Sequence, residues 1–244
     1  MTSLFSLPIL SQQRIAPGIY SLELSTEGPF PARPGQFVDL KIPGKMLRRP
    51  ISITDITEDR LILTYRVAGE GTAILSGMKP GEVLEILGPL GQGFVLPEES
   101  SHLLLVGGGI GTPPLIYLAK EALRQGHQVT VLFGFRSPAD TLFQEELKAI
   151  GAKYHFAYDS EGENVVQLMQ RLGLDDLSFF ACGPMPMLKA LCKAGSSYGQ
   201  CSLEARMGCG FGACMGCSIK TRNGMQRVCK EGPVFSKEVL LWET

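Results

Sequence analysis

The stretch that decides the fold runs from His102 to Phe135 and reads HLLLVGGGIGTPPLIYLAKEALRQGHQVTVLFGF. Two apolar runs, HLLLVG and QVTVLFGF, flank a segment whose apolar residues recur at helical spacing and which ends at Gly126. Such apolar runs are typical of buried parallel strands, and a glycine directly after a helical pattern is typical of a helix end. The stretch therefore predicts a strand–helix–strand unit of a doubly wound α/β module.

The same alternation continues towards the C-terminus. The segments FQEELKAI, NVVQLMQRLG and PMLKALCKAG have helical spacing, whereas KYHFAYD and SFFACG have the apolar character of strands. We therefore assign residues 99–199 to one α/β module.

Residues 1–98 have a different rhythm. Short β-type runs (GIYSLELS, GQFVDLKIP, RPISITDI, RLILTYRV and EVLEILG) are separated by turn residues, and one helix is predicted to begin near Gly71. This pattern predicts a small antiparallel β-barrel. The N-terminal stretch MTSLFSLPILSQQRI contains only a short apolar run broken by Pro8, which indicates neither a signal peptide nor a membrane span.

Residues 200–244 have little regular periodicity but carry four closely spaced cysteines. The stretch MGCGFGACMGCSIKTRNGMQRVC, from Met207 to Cys229, has the spacing C-x4-C-x2-C followed by a fourth cysteine. This spacing is that of plant-type [2Fe–2S] clusters, and the surrounding glycines let the backbone direct N–H groups at the thiolates. A structural zinc site is the alternative, but such sites usually use two short cysteine pairs. We therefore predict that metal binding holds this segment together, through Cys209, Cys214, Cys217 and Cys229.

Composition and cysteine count restrict the class of protein. The 244 residues are enough for two or three modules, and 44% hydrophobic with 19% charged residues is the composition of a soluble globular protein. A net charge of −1 gives no indication of a nucleic-acid or membrane partner. Cys182, Cys192 and Cys201 lie outside the metal motif. This odd remainder, without a signal peptide, predicts free thiols and a cytoplasmic location, with Cys192 packed in a core.

The loop VGGGIGTPP, from Val106 to Pro114, is a candidate nucleotide site. Glycines between a strand and a helix allow close approach of a pyrophosphate to the helix N-terminus. A tight structural turn is the alternative, because a strict G-x-G-x-x-G is absent. Arg136 lies where an acid that binds the ribose of NAD is usual, so the choice between NADH and NADPH stays open.

A second candidate phosphate site lies in the predicted barrel. Arg49-Pro50-Ile51-Ser52 is on a predicted strand, and Gly69-Glu70-Gly71-Thr72 opens the predicted helix. An arginine beside a hydroxyl suits a diphosphate or a flavin, because the planar guanidinium binds two phosphate oxygens at once. A surface cation at Arg49 and simple helix capping by Thr72 are the alternatives.

Together these motifs resemble the ferredoxin reductase family, in which an FAD-binding β-barrel precedes a nicotinamide-binding α/β module. The resemblance rests on RPIS (49–52), TYR (64–66), GT (71–72), GGGIGTPP (107–114) and CGPMPML (182–188). With SLEARMGCGFGACMGCS and RVCKEGPVF added, the chain looks like the electron-transfer subunits of bacterial NAD-dependent, two-subunit dihydroorotate dehydrogenases. The implied fold class is a β-barrel plus a doubly wound α/β module (ferredoxin reductase-like), with a small C-terminal [2Fe–2S] segment.

The resemblance also implies roles for individual residues. Arg49 would bind the FAD phosphates and Ser52 would lie near the flavin ring, within an FAD-binding set of Arg49, Pro50, Ile51, Ser52, Thr64, Tyr65, Arg66, Gly71 and Thr72. NAD would be bordered by a second set, with the last three beside the nicotinamide: Gly107, Gly108, Gly109, Gly111, Thr112, Cys182, Gly183 and Pro184. No catalytic acid or base is implied, because the cofactors carry the chemistry.

The implied function is electron transfer between NAD and a partner. The partner would be the FMN-containing catalytic subunit that oxidises dihydroorotate in UMP biosynthesis, bound as a heterotetramer, and electrons would pass through the [2Fe–2S] cluster and FAD. One alternative is the flavin and iron–sulfur subunit of a ferredoxin-linked NAD(P)H transhydrogenase or a sulfide dehydrogenase, a relative in which one cluster ligand would be an acid. An alternative of another class is a zinc-stabilised binding module without redox activity.

Overall fold

The N-terminal part of the chain is a closed antiparallel barrel in the computed structural model, which describes residues 2–195 and 198–242. Its strands are β1 (Ser3–Ala16), β2 (Ile19–Ser25), β3 (Phe37–Leu40), β4 (Arg49–Ile56), β5 (Arg60–Arg66) and β6 (Val83–Leu90). Around the barrel they follow the order β1-β2-β5-β4-β3-β6. The predicted barrel is confirmed.

Strand β1 is not predicted by the periodicity of the sequence. Of its 14 residues only Leu7 and Ile9 are buried, so the alternation of apolar and polar residues is weak. The strand pairs with β6 up to Pro8 and with β2 from Ile9 onwards. A proline is tolerated there because it lies at the end of a ladder, where one N–H is dispensable. β1 therefore closes the barrel by changing partner halfway along.

Aliphatic side chains fill the barrel interior. Leu22 and Leu24 of β2 and Leu63 of β5 are fully buried, and Leu75 of the helix α1 (Glu70–Gly77) joins the same core. Burying each such side chain stabilises the fold by about 1.5–3 kcal/mol. The helix therefore has a fixed position beside β4, which carries the predicted FAD-binding residues.

The central part of the chain is a doubly wound α/β module. Strands and helices alternate as β7 (His102–Gly108), α2 (Pro113–Arg124), β8 (Gln128–Phe135), α3 (Gln144–Ala149), β9 (Lys153–Tyr158), α4 (Val165–Arg171), β10 (Ser178–Cys182), α5 (Met185–Ala194) and β11 (Gly199–Ser202). Leu103 and Leu105 of β7 pack with α2 and α3, whereas Leu104 and Val106 pack with α4 and α5. The predicted helices on both faces of a parallel sheet are confirmed. None of the helices in the described ranges has both the length and the apolarity needed to cross a membrane.

The C-terminal segment has more regular structure than predicted. It contains the hairpin β12 (Ser218–Thr221) and β13 (Gly224–Arg227), and β14 (Val234–Ser236) pairs antiparallel to β11. The large sheet therefore has the order β14-β11-β10-β7-β8-β9. Leu203, Val228 and Leu240 are buried in the same core as α4 and α5. The expectation of a segment held by metal alone is thus wrong, because apolar packing also anchors it; the boundaries at 98 and 199 stay a prediction.

Side chains at the junction hold the barrel against the α/β module. Helix α2 lies along β4, and the ammonium group of Lys120 on α2 forms an ion pair with the buried carboxylate of Asp55 on β4. The Tyr117 hydroxyl donates a hydrogen bond to the carbonyl of Ala32 at 2.9 Å. These contacts fix the predicted FAD-binding strand relative to the glycine-containing loop before α2.

Candidate functional site

The Arg49 guanidinium lies against the N-terminus of α1. A Cβ atom on Gly71 would be 2.5 Å from Arg49 Nε, so only glycine lets the two come this close. Arg49 Nη1 donates to the carbonyl of Leu47 at 2.7 Å, which orients the side chain. A helix N-terminus and a guanidinium both attract anionic groups, and an arginine can hold two phosphate oxygens. The arrangement therefore suits one phosphate-bearing ligand.

The Thr72 hydroxyl caps α1. Its oxygen accepts hydrogen bonds from the backbone N–H groups of Ala68 at 2.9 Å and Gly69 at 3.2 Å, and its hydrogen is donated to the Gly69 carbonyl at 3.0 Å. The hydroxyl hydrogen is thus already used within the helix cap. Helix capping, given above as the alternative role of Thr72, is therefore the role that the structure shows. A phosphate at this end of α1 would be bound by backbone N–H groups.

The remaining residues of the RPIS string form one wall of β4. All four are half-buried, and Ile51 packs against the barrel core. Pro50 lies opposite Asp39, and Ser52 lies opposite Phe37 on the neighbouring strand β3. Alternation along a strand puts Pro50 and Ser52 on the face opposite to Ile51. The string therefore contributes one hydroxyl and one proline ring to the outer face of the barrel.

Strand β5 separates Thr64 and Arg66 from Tyr65. Tyr65 is only 2% exposed, packs in the barrel core and donates its hydroxyl to Gln12 Oε1 at 3.1 Å. Strand alternation therefore turns the Tyr65 side chain away from the outer face, so the predicted contact of Tyr65 with a flavin would have to be made by its backbone. Thr64 is also buried, but among the described residues its Oγ1 has no hydrogen-bond partner. An unpaired buried hydroxyl on the outer face fits a missing polar ligand.

The glycine loop after β7 is packed tightly against protein atoms. A Cβ atom on Gly107 would be 2.8 Å from the Phe133 ring, and one on Gly111 would be 2.5 Å from the Cys182 carbonyl oxygen. A Cβ atom on Gly108 would be 2.7 Å from Met187 Sδ. At these three positions close packing by itself explains why the residue is glycine. This agrees with the alternative interpretation of the loop as a tight structural turn.

Gly109 is the open position of this loop. Its φ of +52° favours glycine, and the nearest atom to a Cβ there would be Arg66 Nη2 at 3.7 Å. Arg66 therefore reaches from the barrel to the α/β module, where the carboxyl ends of β7 and β10 lie side by side. Doubly wound sheets bind ligands at this edge. The two sets of residues predicted to bind FAD and NAD thus meet at Arg66 and Gly109.

The N-terminus of α2 offers few donors to an anion. Thr112 is fully buried, and its hydroxyl donates to the Gly109 carbonyl at 2.9 Å. Pro113 and Pro114 follow as the first two helical residues, and neither has an N–H group. A pyrophosphate at this helix would therefore lack two of the usual backbone donors. The loop suits the nicotinamide end of a dinucleotide better than its phosphates.

Cys182, Gly183 and Pro184 lie directly beside the glycine loop. A Cβ atom on Gly183 would be 3.0 Å from the backbone nitrogen of Gly108. Burial raises the pKa of Cys182 to about 12, so its side chain is a neutral thiol at physiological pH. Arg136, at the end of β8, is exposed. The two segments predicted to border the nicotinamide therefore share one surface.

The four predicted metal ligands are arranged as two pairs. The Sγ atom of Cys209 accepts hydrogen bonds from the backbone N–H groups of Ala213 at 3.2 Å and Cys214 at 3.4 Å. The Sγ atom of Cys217 accepts one from the N–H group of Cys229 at 3.4 Å. Burial acts to raise the pKa of Cys209, but the N–H donors of its loop outweigh it and lower that pKa to about 6. Such donors stabilise a thiolate before any metal binds.

The paired arrangement matches the ligand geometry of one of the two metals considered. A tetrahedral zinc needs four ligands around one point, whereas a [2Fe–2S] cluster takes two thiolates at each of two irons. Burial and the neighbouring Cys217 thiol raise the pKa of Cys229 to about 12, so Cys229 is a neutral thiol at physiological pH in the metal-free protein. The thiols fit the cluster.

The cysteine loop packs against the barrel through a residue that the sequence did not indicate. Gly210 has a φ of +76°, and a Cβ atom there would collide with Asp39 Oδ2. Asp39 is 2% exposed, and among the described residues its Oδ1 has no hydrogen-bond partner. Because Asp39 lies opposite Pro50, one cross-strand pair separates the RPIS string from the cysteine loop. An acid inside the apolar strand FVDL is the signal that could have identified it.

A cavity of about 500 Å³ lies between the barrel and the cysteine segment. Residues from both sides line it, including Arg33, Gln36, Gln92, Phe211 and Cys229. None of the residues predicted to bind FAD or NAD contributes to its lining. This cavity therefore lies apart from the predicted nucleotide-binding residues Arg49, Arg66 and Gly109.

Comparison with known proteins adds family information to this geometry. A sequence-family model described as "Iron-sulfur cluster binding domain of dihydroorotate dehydrogenase B" matches residues 204–241, and one described as "Oxidoreductase NAD-binding domain" matches residues 105–193. The protein "Dihydroorotate dehydrogenase B (NAD(+)), electron transfer subunit" of Shouchella clausii is 38% identical over 94% of this chain and 95% of its own length. The protein of the same name from Fusobacterium nucleatum is 40% identical over 83% of this chain and 84% of its own length.

Solved structures have the same architecture. A chain of an NADH-dependent reduced ferredoxin-NADP oxidoreductase, studied for flavin-based electron bifurcation, superposes with a TM-score of 0.86 at 27% identity over 97% of this chain and 90% of that chain. Phthalate dioxygenase reductase superposes with a TM-score of 0.66 at 20% identity over 79% of this chain and 64% of that chain. The second similarity concerns the fold alone.

Proposed function

The chain belongs to the family of dihydroorotate dehydrogenase B (NAD(+)) electron transfer subunits, and from this membership we propose its function in full. It is an oxidoreductase subunit that passes electrons between NAD and an FMN-containing catalytic subunit that oxidises dihydroorotate, in pyrimidine biosynthesis. One observation carries the proposal. The cysteine pairs and the RPIS string lie on either side of Asp39, so a one-electron site adjoins the candidate flavin site.

The cofactors are FAD, a [2Fe–2S] cluster and the co-substrate NAD, which supply hydride and one-electron chemistry when bound. Arg49 and the N-terminus of α1 would bind the FAD phosphates. Thr64, with its unpaired hydroxyl, and Arg66 would contact the same ligand on the outer face of the barrel. The wall of β4 would position the ring system, with Pro50 and Ser52 outwards. These assignments rest on the close approach of Arg49 to Gly71.

The nicotinamide would lie at the surface shared by Gly109 and Gly183. Packing of Gly107, Gly108 and Gly111 against their neighbours keeps this surface flat, and Thr112 holds the loop. The neutral Cys182 thiol would add no charge beside the hydride-accepting ring. The four thiols of Cys209, Cys214, Cys217 and Cys229 would hold the cluster, two at each iron.

The partner would dock at the cysteine loop. Phe211 and Met215 are 55% and 51% exposed beside the ligands, and aromatic and methionine side chains are enriched in protein interfaces. The catalytic subunit is therefore the expected occupant, in a heterotetramer of two chains of each kind. A cytoplasmic location, without nucleic acid or membrane as partner, completes the proposal.

Reconstitution tests this function directly. The purified chain should contain flavin and show iron–sulfur absorption, and with a dihydroorotate dehydrogenase catalytic subunit it should form NADH from dihydroorotate and NAD⁺. The matched control is Cys214→Ser, which should abolish NADH formation while the catalytic subunit still reduces an artificial acceptor. A colourless, zinc-containing protein would contradict any redox function.

The structural similarity to the NADH-dependent ferredoxin-NADP oxidoreductase favours one second candidate. In that case the chain would be the flavin and iron–sulfur subunit of a ferredoxin-linked transhydrogenase. Ferredoxin-dependent NADP⁺ reduction, in the absence of NADH formation from dihydroorotate, would identify it. Cysteines at all four ligand positions favour the dihydroorotate function, because the transhydrogenase relative is expected to have an acid at one of them.

A further inference from the structure

Two cysteines outside the metal motif are in contact on one face of the large sheet. Cys192 lies in the last turn of α5, and Cys201 lies in the middle of β11. Their Sγ atoms are 3.6 Å apart, which is van der Waals contact between two sulfurs. The sequence indicates no such pairing, since the two residues belong to different secondary-structure elements. The contact is produced by packing of α5 on the sheet.

We propose that Cys192 and Cys201 are a redox-active dithiol, which a hydroperoxide converts into a reversible disulfide. The proposal does not depend on the electron-transfer function. A disulfide has an S–S distance of about 2.05 Å, so closure needs the sulfurs to approach by roughly 1.5 Å. The helix can supply this movement, because Cys192 lies two residues before the end of α5 and Gly195 directly follows that end. β11 is held on both sides by β10 and β14 and therefore stays in place.

The surroundings give the two thiols different roles. Cys192 is half-buried, whereas Cys201 is 0% exposed. The hydrogen bond from the Cys201 thiol lowers the pKa of Cys192, an effect that burial opposes and the Lys237 ammonium assists. The same hydrogen bond and burial raise the pKa of Cys201. Cys192 is thus the attacking thiolate, and Cys201 is the resolving thiol.

The chemistry balances with a hydroperoxide as the only co-reactant. The Cys192 thiolate attacks one peroxide oxygen, the O–O bond breaks, and a sulfenic acid forms as the other oxygen leaves as water or alcohol. The Cys201 sulfur then attacks the Cys192 sulfur, an S–S bond forms, and the S–O bond breaks to release water. Two thiols lose two electrons in total, and the peroxide gains them.

Two alternatives make different predictions for this site. Cys192 packs against the core that contains Cys201, as the sequence predicted, and core packing alone would leave the two thiols unlinked after oxidation. As additional metal ligands, they would need to adjoin the cysteine loop, but Cys201 lies within the sheet and its chain reaches Leu203 before that loop begins. A disulfide here would join the C-terminal end of α5 to the strand that leads into the cluster segment.

Peptide mapping tests the proposal because trypsin cleaves between the two cysteines. Cleavage at Lys189, Lys193 and Arg206 places Cys192 in ALCK and Cys201 in AGSSYGQCSLEAR. The holoprotein is treated with a small excess of hydrogen peroxide, its free thiols are alkylated under denaturing conditions, and it is digested. The expected result is a linked pair of these peptides that contains most of the Cys192 and disappears on reduction with dithiothreitol.

Controls within the same digest make the outcome decisive. Cys182 is a buried thiol in the separate peptide LGLDDLSFFACGPMPMLK and should remain fully alkylated. In Cys192→Ser the linked pair should vanish, and Cys201 should be recovered as alkylated thiol because no accessible neighbour can oxidise it. Since residue 192 is half-buried, this variant is expected to fold even if Cys201→Ala does not. Recovery of Cys192 as free thiol, as sulfinic acid, or linked to a cluster cysteine in the parent protein would overturn the proposal.

Discussion

The barrel and the cysteine segment reach stability by different means. In the barrel, many aliphatic side chains share one core, and each strand is paired on both sides. The cysteine segment has two short ladders and a few buried anchors such as Val228 and Leu240, and its loop from Gly208 to Gly216 has no regular structure. We therefore expect that the barrel tolerates the removal of a few side-chain atoms, whereas the cysteine loop does not.

The largest effect is expected for Cys217→Ser. Cys217 belongs to the second thiol pair, whose two members are both buried, and its loss leaves one iron with one thiolate instead of two. We expect complete loss of iron–sulfur absorption and rapid proteolysis between residues 207 and 229, while FAD content stays close to that of the parent. Absorption spectra and limited proteolysis measure both. Loss of FAD together with the cluster would contradict the independence of the two regions.

The next largest effect is expected for Leu63→Ala in the barrel. Leu63 is fully buried on β5, and truncation of such a side chain costs about 2–5 kcal/mol of unfolding free energy. Thermal unfolding followed by flavin release should shift to lower temperature, with the iron content unchanged in the folded protein. Leu4→Ala, at a 57% exposed position of β1, is the matched control and should have little effect. An equal shift in both variants would argue against a shared barrel core.

Asp39 connects the two regions and should make stability depend on pH. Burial raises its pKa from 3.8 to about 7, against the opposing effect of Arg48. Because the folded state holds this proton more strongly, stability is greatest below the unfolded pKa and falls as pH rises through the folded pKa. The loss is roughly 1.4 kcal/mol per pH unit between about pH 4 and 7.

Asp39→Asn is the variant that measures this effect. Its thermal midpoint should fall less than that of the parent as pH rises from about 5 to about 7. Glu27→Gln, which alters an exposed carboxylate of the same barrel, should follow the parent. If the thermal midpoints of Asp39→Asn and the parent change equally with pH, the charge of the buried Asp39 carboxylate is already compensated by its neighbours in the folded state.

The smallest of these effects is expected for Arg49→Gln at the candidate FAD site. Loss of a charged hydrogen-bond donor costs about 1.5–3 kcal/mol, which corresponds to a roughly 10- to 100-fold weaker binding of FAD. Equilibrium titration of the flavin-free protein measures the dissociation constant. Arg136→Gln, at an exposed position of the α/β module, is the control and should bind FAD as the parent does. Unchanged FAD affinity in Arg49→Gln would remove Arg49 from the proposed site.

Most of the fold could be predicted from local patterns. Apolar runs of strand length and helical spacing in residues 99–195 correspond to the observed strands and helices, because each element buries a face whose period is visible in the sequence. β1 could not be predicted in this way, since only Leu7 and Ile9 point inwards and a proline interrupts it. β14 is only three residues long, and it can be identified as a strand only because it pairs with β11.

The candidate site likewise has some features that the local sequence predicts and others that only the fold reveals. The spacing of Cys209, Cys214 and Cys217 already predicts a two-iron cluster, since it depends only on residues close together in the chain. Strand alternation turns the Tyr65 side chain inwards, whereas its neighbours Thr64 and Arg66 lie on the outer face of the barrel. A motif that is transferred residue by residue does not show which face of the strand each side chain occupies.

By itself the sequence determined which modules occur, in which order, and which metal site the chain carries. These properties depend on hydrophobic periodicity and on ligand spacing, both of which are local. Only the tertiary structure decided that Asp39 lies between the RPIS string and the cysteine loop, that Arg66 meets Gly109, and that Cys192 touches Cys201. These contacts join residues far apart in the chain or on different elements, and packing alone brings them together.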